Sequence, residues 1–302
     1  VPPASGGKAA GPARPSQVNV SYSYFANFAV GLCEGPIAFV RRVWADGQEL
    51  DLTTLTMRVY TGAEDQEPDP LIVAKEGADG VPAYRGLAYV VFERMPLAAF
   101  GNRAPQLSFE VVRPVDGVAR MIRAVDIIPG ATEFGYQPTL HASFPAPGTT
   151  VQENRSQSWA TTDWKGSLDA LQALCPNLRS VALVVSWFGD DLRAGQCTVA
   201  PRVDNAFKTV PSILSVDWSV AGLPRAAARV VSKSDGVAAF GGTPSDASVV
   251  AAIADLKARG LSVVFYPFVM MDIAVDNALP DPWTGAASQP AYPWRGRIVC
   301  DP

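Results

Sequence analysis

The run Val181-Ala-Leu-Val-Val-Ser-Trp-Phe188 decides the fold of the second half of the chain. It is apolar without alternation, which is typical of a strand covered on both faces in a parallel sheet. The residues before it predict a helix with Asp163 as its N-cap and Pro176 at its end. The apolar face of this helix comprises Leu168, Leu171, Leu174 and Cys175.

The same order recurs after a long irregular segment over residues 189–242. Thr243 is the predicted N-cap of a second helix, and Pro244 occupies its first turn. The apolar stripe of this helix is formed by Val249, Val250, Ile253 and Leu256. Gly260 ends the helix, and Leu261–Val269 follows as another buried strand. A helix followed by a buried strand, twice, predicts a parallel sheet, although two such units are too few for a closed eight-stranded barrel.

The first half of the chain has the pattern of β-strands. Polar or small residues alternate with Val18, Val20, Tyr22 and Tyr24, as in a half-buried strand. Asp46-Gly47 lies between two apolar runs and predicts a hairpin, because both positions accept a positive φ. Further strand-like runs are Met57–Tyr60, Leu87–Phe92, Leu107–Val112 and Ala124–Ile128. We therefore expect this half to be mainly antiparallel β-structure.

These patterns divide the chain into three parts. Residues 1–16, VPPASGGKAAGPARPS, are rich in Pro and Gly and predict a flexible arm. A β-rich domain is assigned to residues 17–155 and an incomplete α/β domain to residues 156–302, which makes the fold class a multidomain α+β fold. The chain begins without a methionine and stops within a sequence pattern, so we interpret it as a piece of a longer protein.

The composition of the chain excludes several classes of function. Its 302 residues carry a net charge of -4, which gives no electrostatic reason to expect nucleic acid or an anionic membrane as partner. His141 is the one histidine, so zinc sites and proton relays built from several histidines are excluded. The four cysteines form no CxxC pair. No apolar run has the length of a membrane span, and no cofactor or metal is predicted.

Acidic residues follow the two predicted buried strands. Asp190 and Asp191 come directly after the first strand, and Asp272 comes shortly after the second. Ligand sites of α/β folds form at such strand ends, and two carboxylates among aromatic side chains are the equipment of a glycosidase. These three residues are therefore catalytic candidates. The alternative is structural, with the carboxylates capping helices or pairing with Arg193, Arg295 or Arg297.

A candidate interface lies in the β-rich half. The segment Pro82–Phe92 contains Tyr84, Arg85 and Tyr89, and Tyr and Arg are enriched at protein interfaces. The alternative is an ordinary strand with an amphipathic edge. The low content of charged residues, 18%, favours assembly, because charged residues are depleted where surfaces become buried in oligomers.

Longer strings of residues resemble a known family. In the first half these are Gly31–Ile37, Val43–Gly47, Tyr60–Gly62, Gln66–Pro70, Pro82–Val91, Phe100–Arg103 and Pro105–Glu110, which resemble the phage tail host-specificity and baseplate hub proteins. In the second half Trp187–Cys197, Gly241–Asp246, Tyr266–Asp272 and Tyr292–Arg297 are similar to the large tail-tip protein family of gene transfer agents, which carries a TIM-barrel-like region. The resemblance extends over residues 18–302.

The resemblance implies a structural virion component. Members of this family resemble trimeric hub proteins that close the distal end of a tail tube, and they lie beside a distal tail protein, a smaller hub protein and a cell-wall peptidase. It implies a β-rich hub domain, a partial TIM-barrel-like domain, and a homotrimer that is assembled in the bacterial cytoplasm and acts at the particle's tail tip in attachment to the host envelope and DNA delivery. It transfers no catalytic residue. The alternative function is a tail-associated module that binds or hydrolyses glycans, with a host-surface glycan or receptor as partner.

Overall fold

The structure is a computed structural model that describes residues 22–77, 80–115, 117–130, 132–208, 218–293 and 297–300. In chain order its strands and α-helices are β1 (Phe25–Glu34), β2 (Phe39–Ala45), β3 (Gln48–Glu49), β4 (Thr56–Tyr60), α1 (Pro70–Glu76), β5 (Leu87–Pro96), β6 (Leu107–Val112), α2 (Val118–Met121), β7 (Ala124–Ile127), β8 (Ala142–Ala146), β9 (Thr149–Gln152), α3 (Asp163–Leu174), β10 (Ser180–Gly189), β11 (Val199–Ala200), β12 (Arg202–Val203), β13 (Ser219–Val220), β14 (Leu223–Pro224), β15 (Arg229–Val230), β16 (Lys233–Ser234), β17 (Val237–Ala238), α4 (Asp246–Ala258) and β18 (Ser262–Met271). The fold is a mixture of helices and strands, as the sequence predicts.

The first part of the chain forms two antiparallel sheets of three strands each, in the orders β1-β5-β4 and β3-β2-β6. Apolar side chains from both sheets, among them Val43, Val90 and Phe92, form one core cluster. The predicted hairpin joins β2 to β3, and its residues Asp46 and Gly47 both have positive φ angles. The two sheets therefore bury their facing sides against each other.

The second part is built on a parallel sheet. Strands β7, β10 and β18 lie side by side in chain order and run in the same direction. Helix α3 connects β7 to β10, and α4 connects β10 to β18. One apolar core contains residues from both helices and from β10, including Leu168, Leu183 and Leu256. Both helices therefore cover the same face of the sheet.

Strand β7 differs from its predicted position. The sequence places Ala124–Ile128 among the antiparallel strands of the first half, whereas β7 pairs in parallel with β10. The physical reason is that Val125 and Ile127 pack against the core beneath α3 and α4. The division of the chain at residues 155 and 156 stays a prediction.

The N-terminal predictions fall partly outside the described residues. The arm over residues 1–16 lies there, as do Val18 and Val20. Tyr22 and Tyr24 precede β1, which begins at Phe25. Within the described ranges, the helices are all too short or too polar to span a lipid bilayer.

Candidate functional site

The carboxyl ends of the parallel strands bring the predicted aspartates to one edge of the sheet. Gly189 and Met271 are register partners at the ends of β10 and β18. The Asp272 amide donates a hydrogen bond to the Gly189 carbonyl over 2.9 Å. Asp190 and Asp272 are thus the first residues beyond two adjacent strands, as the sequence predicts.

Asp272 belongs to a buried ion pair. Its Oδ2 lies 2.5 Å from Nη1 of Arg202, and both residues are almost completely buried. The Ser232 amide donates a second hydrogen bond to the same oxygen over 3.0 Å. Arg202 and Ser232 both lie on the long connection between β10 and α4, so Asp272 fixes that connection onto the sheet.

Asp191 and Asp190 are also paired with arginines. Asp191 accepts hydrogen bonds from Arg193 over 2.6 Å and from Gln289 over 2.8 Å. The Arg193 guanidinium lowers the pKa of Asp191 to about 2. Asp190 accepts from Arg229 over 2.8 Å on a more exposed part of the edge.

Each predicted aspartate is therefore engaged in an ion pair. The structural alternative named Arg193 correctly, whereas Arg202 and Arg229 are partners that the sequence did not suggest. Arg295 lies outside the described residues. The three carboxylates hold neighbouring loops together through ion pairs and hydrogen bonds. Their catalytic role stays a prediction.

Glu133 is an acidic residue of this edge that sequence reasoning missed. It follows β7, is fully buried, and accepts hydrogen bonds from Arg225 and from the Asp204 amide. Burial raises the pKa of Glu133 to about 7; Arg225 opposes this shift and the nearby Asp204 carboxylate adds to it. Glu133 follows β7, as Asp190 follows β10. This position could have revealed Glu133 as a candidate if β7 had been assigned to the parallel sheet.

His141 lies beside this buried cluster. Its ring stacks on Phe134 with 3.6 Å between centroids, and burial lowers the pKa of His141 to about 4. Lys208 bridges Glu153 and Asp204 at 2.9 and 2.7 Å. The cluster therefore joins the β7–α3 connection to the β10–α4 connection. Among the described residues, no group of three or more His, Cys, Asp or Glu side chains could hold a metal ion.

Strand β18 exposes apolar side chains on both faces. Val264, Phe265, Tyr266 and Val269 are all substantially exposed. A groove on one side of the strand is lined by Phe240, Phe268, Met270 and Tyr292, and a groove on the other side by Val185, Trp187, Phe265 and Pro267. Such surfaces favour apolar contact with another polypeptide.

The predicted interface residues divide between surface and core. Tyr84 and Arg85 are exposed. Tyr89 is only 3% exposed, and its ring stacks on Tyr60 with 4.4 Å between centroids. Tyr89 can therefore reach no partner directly, because Tyr60 and Tyr84 cover its ring on the face of β5 opposite to the shared core.

Comparison with known proteins gives a partial likeness to a solved structure. No family model and no curated protein matches the chain. A chain in the solved structure titled "Virion of native gene transfer agent (GTA) particle" is 60% identical over a part that covers 30% of this chain and 21% of that one. This chain thus spans about a fifth of that chain's length, and the TM-score of 0.29 gives no argument about a shared fold. Over that part, the sequence is similar to a component of a gene transfer agent virion.

Proposed function

We propose that the chain is a structural component of a gene transfer agent or related phage-like particle, located in the hub at the distal tail end. It forms a homotrimeric ring there, beside a distal tail protein, a smaller hub protein and a cell-wall peptidase, and takes part in attachment to the host envelope and DNA delivery. The family resemblance of the sequence strings supports this proposal. The partial relative is a chain of a gene transfer agent virion, which is the same class of particle.

The observation that carries the proposal is the exposed apolar surface of β18. Over Ser262–Met271 the strand carries no charged side chain, and Val264 and Phe265 are both more than half exposed. Soluble proteins normally protect an edge strand with charges or cover it. An uncharged edge with apolar grooves on both sides favours an edge that further polypeptide covers, either a strand of the barrel-like domain or a neighbouring protein of an assembly.

The arrangement of the parallel strands favours the TIM-barrel-like part of the proposal. Three strands follow each other in space as they do in the chain, and α3 and α4 cover one face. A doubly wound sheet instead reverses its strand order and has helices on both faces. In this proposal a further strand lies beside β18. Pro267 has no N–H to donate, so we expect the ladder to that strand to be interrupted there.

A reconstruction of the particle's tail tip by cryo-electron microscopy tests the proposed function. We expect three copies of the chain around the tail axis, with the apolar surface of β18 covered by protein. Tail-tip density without a ring of this chain, or with β18 facing solvent, would overturn the proposal.

A second candidate function is a glycan-binding or glycan-hydrolysing module. The groove at the end of β18 favours it, because Phe240 and Tyr292 line this groove, pack edge to face at 5.9 Å and could present ring faces to a sugar. Purified sacculi test this function directly. Turnover that is lost in Asp190→Asn and Asp272→Asn variants supports hydrolysis, binding without turnover supports recognition, and neither binding nor turnover eliminates the candidate.

A further inference from the structure

The amino-terminal edge of the parallel sheet carries an exposed surface with apolar and basic side chains. Val115, Val118 and Met121 are 74%, 75% and 74% exposed. Ala119 and Ile122 of the same segment pack against the core. Val118 and Met121 lie one residue before each of them and therefore point away from it. Three large apolar side chains are thus exposed in and just before the short helix α2.

Two arginines adjoin these apolar side chains. The Arg123 carbonyl accepts hydrogen bonds from the amides of Arg179 and Ser180 over 2.8 and 3.1 Å, which places both arginines at the same edge. Both are exposed. Within the part of the chain that the structure describes, no carboxylate lies within ion-pairing distance of either guanidinium. We call Val115, Val118, Met121, Arg123 and Arg179 the basic patch.

A complementary surface lies on the β-rich half of the same chain. Glu64, Asp65 and Glu67 are exposed, and no Lys or Arg among the described residues lies within ion-pairing distance of them. Gln66 holds this loop against the next surface segment by donating hydrogen bonds to the carbonyls of Ala83 and Tyr84 over 2.8 and 3.0 Å.

Exposed apolar side chains also adjoin this acidic loop. Tyr84 and Leu87 are 42% and 37% exposed. Arg85 is the basic side chain beside the loop, where it donates to the Gln66 carbonyl, and the three carboxylates outnumber it. We call Glu64, Asp65, Glu67, Tyr84 and Leu87 the acidic patch.

We propose that the basic patch of one copy of this chain docks on the acidic patch of a second copy. The two patches are opposite in charge, lie on different parts of the molecule, and each combines unpaired charge with exposed apolar side chains. A contact between different patches is head-to-tail, and copies joined in this way close into a ring when the rotation allows it. The inference rests on the proposed trimeric ring and names the surfaces that form it.

A second copy explains the basic patch better than nucleic acid does. Phosphate contacts use the guanidinium groups but cover no apolar surface, whereas protein interfaces bury Met and Arg together. The charge of the partner surface is present on the chain itself. Opposite charges across such an interface speed association and fix its register, and the effect weakens as salt rises.

Charge reversal of each patch tests the proposal, with self-association of the 302-residue chain measured by sedimentation velocity at micromolar concentration and low salt. We expect Arg123→Glu with Arg179→Glu, and separately Glu64→Lys with Glu67→Lys, to weaken self-association at least about tenfold. The chain with all four substitutions should associate again, because both charges are then reversed. Lys75→Glu with Lys233→Glu makes the same change of charge as the arginine variant at two other exposed sites and should leave association unchanged.

The outcomes separate this inference from the proposed function. Association that persists in both double variants overturns the docking surfaces and leaves a ring formed through other surfaces possible. A monomeric wild-type chain, or no recovery in the fourfold variant, also overturns the pairing, while the cryo-electron reconstruction tests the virion role independently. Binding of duplex DNA by the wild type that is lost in the arginine variant would show that the basic patch serves nucleic acid instead.

Discussion

At the residue scale, the Arg202–Asp272 ion pair is the most completely buried of the ion pairs that the three predicted aspartates form. Both side chains are buried, so Arg202→Met leaves an uncompensated carboxylate inside the protein, and we expect the free energy of unfolding to fall by about 3 to 5 kcal/mol. Urea denaturation measures this loss. Arg229→Met removes the partner of Asp190 on the exposed edge and should cost less than about 1 kcal/mol. Equal losses of stability in the two variants would contradict the greater contribution assigned to the buried Arg202–Asp272 pair.

Glu133 and His141 predict opposing effects of pH on stability. The folded pKa of Glu133, about 7, is raised above its ordinary value, so its contribution is full below pH 4.5 and declines as pH rises to 7. The folded pKa of His141, about 4, is lowered, so its contribution is full above pH 6.5 and declines as pH falls to 4. Between pH 4.5 and 6.5 the first contribution falls with pH while the second rises, so their effects on the pH dependence of stability largely cancel.

Glu133→Gln removes one of these two opposing contributions. The unfolding free energy of the variant should rise with pH between 4.5 and 6.5 more steeply than that of the wild type, by up to about 1.4 kcal/mol per pH unit. His141→Gln should change the slope in the opposite direction. Denaturant titrations at several pH values give the slopes, which are independent of any constant cost of leaving Arg225 unpaired. Parallel profiles for all three proteins would refute the assigned pKa shifts.

At the scale of single elements, the start of α4 depends on a buried cap. The Ser245 hydroxyl accepts from the Ser248 amide over 3.2 Å and lies 2.9 Å from the Ser248 hydroxyl, which in turn contacts Gln137. Ser245→Ala should lower the free energy of unfolding by about 1 to 2 kcal/mol in denaturant titration. Ser262→Ala, at an exposed hydroxyl, serves as the control and should cost less than about 0.5 kcal/mol. A similar small cost at Ser245 would count against the cap.

The elements also show what the sequence could predict. Apolar patterning located both helices and the strand that follows each of them, because burial on a fixed face imposes such patterns. The second strand was predicted to be buried, and this was wrong: β18 is largely exposed. It placed the caps at Asp163 and Thr243, whereas Thr162 and Ser245 cap the helices. Thr243 instead pairs with the backbone of Arg202, which lies far away in the chain. Local patterns identify an element well but do not reveal which neighbour competes for its terminal residues.

At the scale of the whole molecule, the sequence again predicts the positions of the candidate-site residues but not their long-range partners. The positions of Asp190 and Asp272 at one edge follow from the strand pattern, since parallel strands end together. Their partners Arg229 and Arg202 lie on the long β10–α4 connection, whose path has no sequence period. Glu133 was missed for a related reason, because four residues of β7 are too few to distinguish a parallel from an antiparallel strand.

The exposed surface of β18 gives a prediction for the molecule as a whole. Val264 and Phe265 are adjacent in the strand, so they point to opposite faces of the sheet, and Phe265 lines one of the two grooves. The isolated chain should bind a hydrophobic dye such as ANS, and Val264→Lys with Phe265→Lys should reduce the dye fluorescence while secondary structure by circular dichroism is retained. The matched control is Val237→Lys with Val275→Lys, two side chains that are more exposed than those of β18 but lie outside both grooves. Dye binding depends on contiguous apolar surface rather than on single exposed residues, so the control should leave the fluorescence unchanged. An equal loss in both double variants would show that β18 is no preferred apolar surface, and would remove the observation on which the assembly role rests.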